Sequence, residues 1–256
     1  MSNNKVLKAT FWYAVSNFLL KGLIFFTTPI FSRILTKAEY GSFSNYAAWS
    51  QLLGIVVTLS LIASLIRGRF DFEKELDSFI TSNLVLGSLF TLISFFIVML
   101  FSDFFSALFV LEKKYIVIMF MSLSVSPAYE MFMATQRFQY KYKTVVILTI
   151  LISVSSIALS LILIFLMNDH LLARVIGSMM PSFLVSLLVY FHYILHCKRV
   201  KMGYWRYSLP ICIPYIFHLL SGSALSQSDR AMITSMAGKE STALYSMAYN
   251  IAGEEV

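Results

Sequence analysis

The chain has 256 residues, 58% of them hydrophobic and 13% charged, with a net charge of +7 and a mean hydropathy of +0.76. A soluble domain carries about 25% charged residues, so the composition excludes an ordinary soluble fold and points to an integral membrane protein. The two cysteines, Cys197 and Cys212, offer no spacing for a metal or redox pair and read as small apolar fillers.

The N-terminus, MSNNKVLKAT, puts two lysines ahead of an apolar run, as a secretory signal does. The run passes Lys21 and ends near Phe31 with no cleavage pattern, so it reads as a first span, residues 11–31. Further spans are predicted over residues 43–66, 79–101, 115–135, 145–166 and 171–195. A basic stretch, residues 196–207, precedes a seventh span over 208–237. An eighth starts near Thr242 and stops at Val256, short of the ~20 residues a crossing needs. The runs are continuously apolar and about twice a barrel strand's length, which favours helices. The expected fold class is an all-α polytopic bundle. Residues 1–195 form a six-helix N-terminal lobe, 196–207 a cytoplasmic basic linker, and 208–256 the start of a second lobe. Because Gly253-Glu254-Glu255-Val256 interrupts a barely started span, the chain is expected to be a fragment of something near twice its length.

Orientation follows from lysine and arginine in the short loops. One side holds Lys5, Lys8, Arg67, Arg69, Lys74, Arg137, Lys141, Lys143, Lys198, Arg199, Lys201 and Arg206. The other holds Arg33, Lys37, Lys113, Lys114, Arg174, Arg230 and Lys239, a ratio of twelve to seven. The N-terminus is therefore expected in the cytoplasm, and the positive charge calls for no nucleic-acid partner. Six spans return the chain to its starting side, so the seventh starts where the first did, the layout of a parallel repeat. A faint echo accompanies it: Ser32-Arg33, Tyr40-Gly41 and Tyr46 against Asp229-Arg230, Tyr245-Ser246 and Tyr249.

The remaining cation, Lys21, sits at the midpoint of the first span, where insertion scales charge about 2.5–3.5 kcal/mol and the interface is ~15 Å away. Thr10, Asn17, Lys21 and Thr28 fall within an arc of ~40° at 100° per residue. Such a polar stripe faces protein or water. Lys21 either lines a cavity or pairs with a carboxylate, Glu130 in the fourth span being the candidate. In that span Ser122, Ser126 and Glu130 step by four, and Pro127 is expected to loosen the helix. Glu130 either binds a coupling proton or cation, or reaches out to Arg137. The seventh span groups His218, Gly222 and Asp229 on one face, with Asp229-Arg230 as a local ion pair. His218 reads equally as a core histidine or a ligand. His192 and His196 have metal-like spacing but no third ligand, so they read as interfacial.

No motif supports catalysis: there is no nucleophile elbow, HExxH, phosphate loop or paired carboxylate at a predicted face. The chain is expected to be a transporter, not an enzyme, without cofactor or metal.

The stretch PIFSRILTKAEYGSF, residues 29–43, resembles the first outer loop of polysaccharide flippases of the O-antigen (Wzx) type. HLLSGSALSQSDRAMI (218–233) and ALYSMAYNI (243–251) are similar to that family's seventh span and the opening of its eighth. The resemblance covers the whole chain and about the first half of a usual member. It implies membership of the multidrug/oligosaccharidyl-lipid/polysaccharide exporter superfamily, with two six-helix bundles around a central cavity. It also implies translocation of undecaprenyl-diphosphate-linked oligosaccharide, an O-antigen or capsule repeat unit, across the bacterial inner membrane by alternating access. The implied partners are that lipid-linked oligosaccharide, membrane lipids, and a polysaccharide polymerase and chain-length regulator. Motif positions carry over at Arg33, Glu39-Tyr40-Gly41 and Asp229-Arg230. A diphosphate in an apolar cavity needs cations. The substrate-binding candidates are Lys21, Asn17, Arg33, Arg67, Asp229 and Arg230, with Glu130 for ion coupling. Sugars would meet Asn17, Asn45, Tyr46 and Gln51. The rival readings are a cation-coupled multidrug exporter, or an inactive remnant or scaffold of polysaccharide assembly.

Overall fold

The structure, a computed structural model, describes residues 3–196 and 199–252. Cys197 and Lys198 of the predicted linker lie outside them, as do Gly253, Glu254, Glu255 and Val256, on which the expected truncation rested. The described elements are helical throughout. They are α1 (Asn3–Ile34), α2 (Lys37–Val57), α3 (Ile62–Asp71), a 3-10 turn (Glu73–Glu75), α4 (Leu76–Leu100), α5 (Ser102–Phe109), α6 (Lys113–Phe138), α7 (Tyr142–Leu166), α8 (His170–His196), α9 (Gly203–Ala237) and α10 (Lys239–Ala252). Among the described residues six segments are long and apolar enough to cross a membrane, with α2 and α3 counting as one. The bent α9 makes a seventh, its limbs Gly203–Ala224 and Gln227–Ala237 turning by 57°. The protein is an all-α polytopic membrane protein. A uniform helical wheel does not carry across that bend, so His218 and Asp229 do not share one straight face.

The surface chemistry is that of a protein in lipid. Phe18, Leu100, Phe165 and Leu195 each stand 78% exposed, whereas Asn45, Ser64, Ser82, Asn83 and Ser160 are fully buried. Between apolar tails no hydrophobic force draws helices together, so small residues and hydroxyls that permit close approach fill the contacts.

Two departures concern helix breaks. The fourth predicted span, now α6, runs through Pro127 without interruption. The break falls instead in the second span. There Leu59 and Ser60 take positive φ values of 56° and 43° between α2 and α3. The freed carbonyls are satisfied by side chains: Ser60 donates to Ile55 O (2.9 Å) and Thr91 of α4 to Val57 O (3.2 Å), while Gly54 O keeps its helical bond from the Thr58 amide (3.1 Å). An unsatisfied carbonyl in hydrocarbon costs several kcal/mol, so the Ser60 and Thr91 hydroxyls are what make a mid-span break tolerable. The short α5, after the third span, also escaped prediction. Its Asp103 meets Lys113 at 2.8 Å, which holds that carboxyl below its usual range.

The helices form two compact units. Of the described residues, unit 1 takes 3–45, 133–181 and 232–252, and unit 2 takes 46–132, 182–196 and 199–231. In unit 1, α1 packs on α7 and α10, around a core of Phe31, Leu35, Tyr40, Ile164, Ala173 and Ala243. The α1–α2 corner is capped by a box. Glu39 accepts from the Thr36 amide and hydroxyl, both at 2.8 Å, and Thr36 Oγ1 accepts from the Glu39 amide. Gly41 then lies directly on α10: a Cβ there would stand 1.7 Å from the Lys239 carbonyl oxygen. Across the α9–α10 turn, Gly238 supplies the positive φ (88°) and Thr234 and Thr242 share a hydrogen bond of 2.8 Å.

In unit 2, the predicted linker is partly structure. The helix α9 already starts at Gly203, and residues 201–207 dock on the corner between α3 and α4. Trp205 donates to Ser82 O (2.7 Å), Tyr207 to Asp71, and Tyr204 and Lys201 to Glu75. Phe72 and Phe79 pack edge-on against Tyr204 and Tyr207. The Glu75 carboxylate holds the Lys201 ammonium above its ordinary pKa.

Candidate functional site

The predicted site residues divide between the units. Asn17, Lys21 and Arg33 belong to unit 1, and Arg67, Glu130, Asp229 and Arg230 to unit 2.

In unit 1 the polar stripe can be placed on the circumference of α1. The packed side carries Ala9, Ser16 and Phe31, all buried, with Tyr13, Leu20, Leu23 and Thr27 partly buried between them. At 100° per residue these centre about 90° from the stripe. Phe11, Phe18 and Phe25, exposed at 63%, 78% and 50%, mark the opposite, outward side. The stripe therefore lies between the two, about 90° from the packed side and about 80° from the phenylalanine side. Thr28 is buried and donates to Ile24 O (2.8 Å), while Thr10, Asn17 and Lys21 are exposed. Arg33, in the last turn of α1, is exposed as well.

In unit 2 a cavity of about 510 Å³ opens between α3 and α9. Its polar lining is Arg67, Tyr215 and His218, and the rings of Pro210 and Pro214 form one wall. The Tyr215 and His218 rings lie 6.0 Å apart. Arg67 is exposed and, among the described residues, no carboxylate pairs with it. The two prolines add a second kind of group. Each lacks an N–H, so the carbonyls of Arg206 and Pro210 receive no helical bond from them. The lining itself offers a cation, a tyrosine hydroxyl and an imidazole, a set that fits an anion bearing hydroxyl groups. Arg67 and His218 were both legible as candidates, but nothing in the spacing placed them in one cavity.

The other candidates stand apart from that cavity. Glu130 is exposed on α6, Asp229 is exposed on α9, and Arg230 is partly buried with Nη1 donating to Gln227 Oε1 at 2.7 Å. Of the groups proposed to meet sugars, Asn45 and Tyr46 are buried and Gln51 is exposed. His192 and His196 are exposed, their rings 4.3 Å apart.

One cation was misread. Arg174 counts among the loop charges in the sequence, although it lies inside the predicted span 171–195. The structure sets it in the second turn of α8, half-buried in unit 1. Its Nη1 donates to Ser160 Oγ (2.9 Å), and its guanidinium carbon lies 3.7 Å from the Phe31 ring centre and 4.6 Å from that of Phe43. The available signal was Gly177, three residues on, which marks a close helix contact rather than a loop.

Compared with known proteins, residues 6–253 match the family model described as polysaccharide biosynthesis protein. No curated protein and no solved structure matches the chain.

Proposed function

The chain belongs to the polysaccharide biosynthesis protein family, and from that membership we propose that it acts in moving a lipid-linked oligosaccharide across the bacterial inner membrane. The substrate class is a polyprenyl diphosphate, undecaprenyl in kind, carrying an O-antigen or capsule repeat unit. The process is alternating access, without chemistry on the substrate. The N-terminus lies in the cytoplasm, as the loop charges favour. In this reading Arg67, Tyr215 and His218 receive the diphosphate and first sugars in the α3–α9 cavity. Lys21 meets the diphosphate at mid-membrane, with Asn17 beside it on the sugar. Arg33, Asp229 and Arg230 act at the outer side, and Glu130 takes the coupling ion. A polymerase and a chain-length regulator receive the product.

The observation that carries the reading is the exposed cation at the midpoint of a span, on an edge shared with Asn17 and distinct from the phenylalanine side. A charge there is retained only where water or an anion offsets the cost.

The test is complementation of a flippase-null strain. Restoration of surface polysaccharide by the chain supports the reading. Lys21→Ala should insert normally, fail to restore polymer and accumulate lipid-linked oligosaccharide, with Lys21→Arg partly active. Normal polymer from Lys21→Ala removes Lys21 from the process. A stably inserted chain that never complements favours a non-transporting component of polysaccharide assembly.

A further inference from the structure

The half-buried cation Arg174 has no role in that account, and its surroundings point to one. Among the described residues no carboxylate pairs with Arg174. Two acids near the start of α8 are otherwise committed. Glu39 is taken by Thr36 and stands 3.9 Å from His170, and Asp169 Oδ1 accepts from the Leu172 amide (2.9 Å).

A guanidinium has five N–H donors, and Arg174 spends one, on Ser160. The bond's direction is fixed, because Ser160 gives its own hydrogen to Ser156 O (2.7 Å) and so presents a lone pair to Arg174. Ser160 is fully buried where α7 and α8 touch; a Cβ on Gly177 would lie 2.4 Å from Ser160 Cα. The Phe31 and Phe43 rings offset charge by cation–π attraction but accept none of the in-plane hydrogens. The result is a held guanidinium with an unspent edge, in a region where unpaired donors are costly.

Depth identifies the acceptor. The 27 residues of α8 span about 40 Å at 1.5 Å each, against a hydrocarbon core of ~30 Å. A centred helix therefore overhangs by ~5 Å at each end, and Arg174, ~6 Å from its start, lies at the boundary where lipid phosphates reside. Guanidinium edges bind phosphate oxygens in pairs. We propose that Arg174, aimed by Ser160, is a binding site for a lipid phosphate at this end of unit 1. The phosphate belongs either to a bilayer phospholipid or to a polyprenyl diphosphate. The site rests on phosphate chemistry and not on transport, so a chain that binds but does not transport leaves it standing.

The test is lipid binding by the purified chain, read by native mass spectrometry with phosphatidylglycerol and, separately, geranyl diphosphate as probes. The wild type should retain one of them saturably. Arg174→Met should lose about tenfold or more in affinity, the scale of a lost charge-assisted pair. Arg174→Lys should keep part of it, and Lys37→Met, at an exposed lysine with no assigned role, should match the wild type. Preference for phosphatidylglycerol assigns the site to the bilayer, and preference for geranyl diphosphate assigns it to the carried lipid. Should Arg174→Met fail to fold, Ser160→Ala carries the test with a smaller loss. A folded Arg174→Met or Ser160→Ala chain binding both probes as the wild type does overturns the proposal, as does a wild type that binds neither.

Discussion

At the scale of single residues, three cations stand in or beside the apolar spans for different physical reasons. Lys21 is exposed on a polar edge of α1, Arg67 faces a cavity beside two prolines, and Arg174 is clamped between phenyl rings and a serine. Because Arg67 lacks a carboxylate partner among the described residues, its removal leaves no orphaned acid. The cost should therefore appear in binding and not in stability. Arg67→Ala is expected to weaken binding of a short polyprenyl diphosphate by about tenfold or more, with an unchanged melting temperature. Arg67→Lys should recover part, since an ammonium keeps the charge but not the paired geometry. Equal affinity in the wild type and Arg67→Ala would remove the cavity from substrate recognition. Lys21 was legible as a candidate because a charge inside an apolar run is conspicuous, and Arg67 because it closes the second span. Arg174 was not, since four residues from a span's start a charge looks like a loop's, and only the packing of Ser160 against Gly177 shows otherwise.

At the scale of elements, the recurring motif over residues 29–43 has a structural explanation that spacing alone did not reveal. Thr36 and Glu39 form the α2 capping box, Tyr40 fills the core, and Gly41 lets α10 approach to backbone contact. These positions shape a corner. Gly41→Ala should accordingly destabilise the fold by about 1–3 kcal/mol, the usual cost of overpacking, because the atom in the way is a backbone carbonyl. Gly22→Ala in α1 is the control. Nothing lies within 4 Å of a Cβ there, and alanine is the better helix former. Thermal unfolding in detergent reads both, and an unperturbed Gly41→Ala would refute the close α2–α10 contact. The helix breaks show the limit of sequence reading from the other direction. Pro127 is prominent in sequence yet α6 passes through it, because a proline removes one bond that neighbouring groups replace. The true break at Leu59 and Ser60 has neither proline nor glycine, and its support comes partly from Thr91, 34 residues away.

At the scale of the whole molecule, the all-α spanning architecture was readable because a bilayer permits few solutions to backbone hydrogen bonding. The first six predicted spans each overlap an observed helix, which extends past the prediction by up to eight residues at an end, apart from the split of the second. The docking of residues 201–207 was not readable, since it depends on Tyr204, Trp205 and Tyr207 finding acceptors on α3 and α4. The central claim is that the polar edge of α1 borders an aqueous path for an anionic lipid. It is tested most directly by Lys21→Cys in a chain whose Cys197 and Cys212 are replaced by alanine. The account predicts that a membrane-impermeant thiol reagent modifies position 21 and that polyprenyl diphosphate slows the reaction. Complete resistance to the reagent from both sides of the membrane, in a correctly inserted chain, would contradict it.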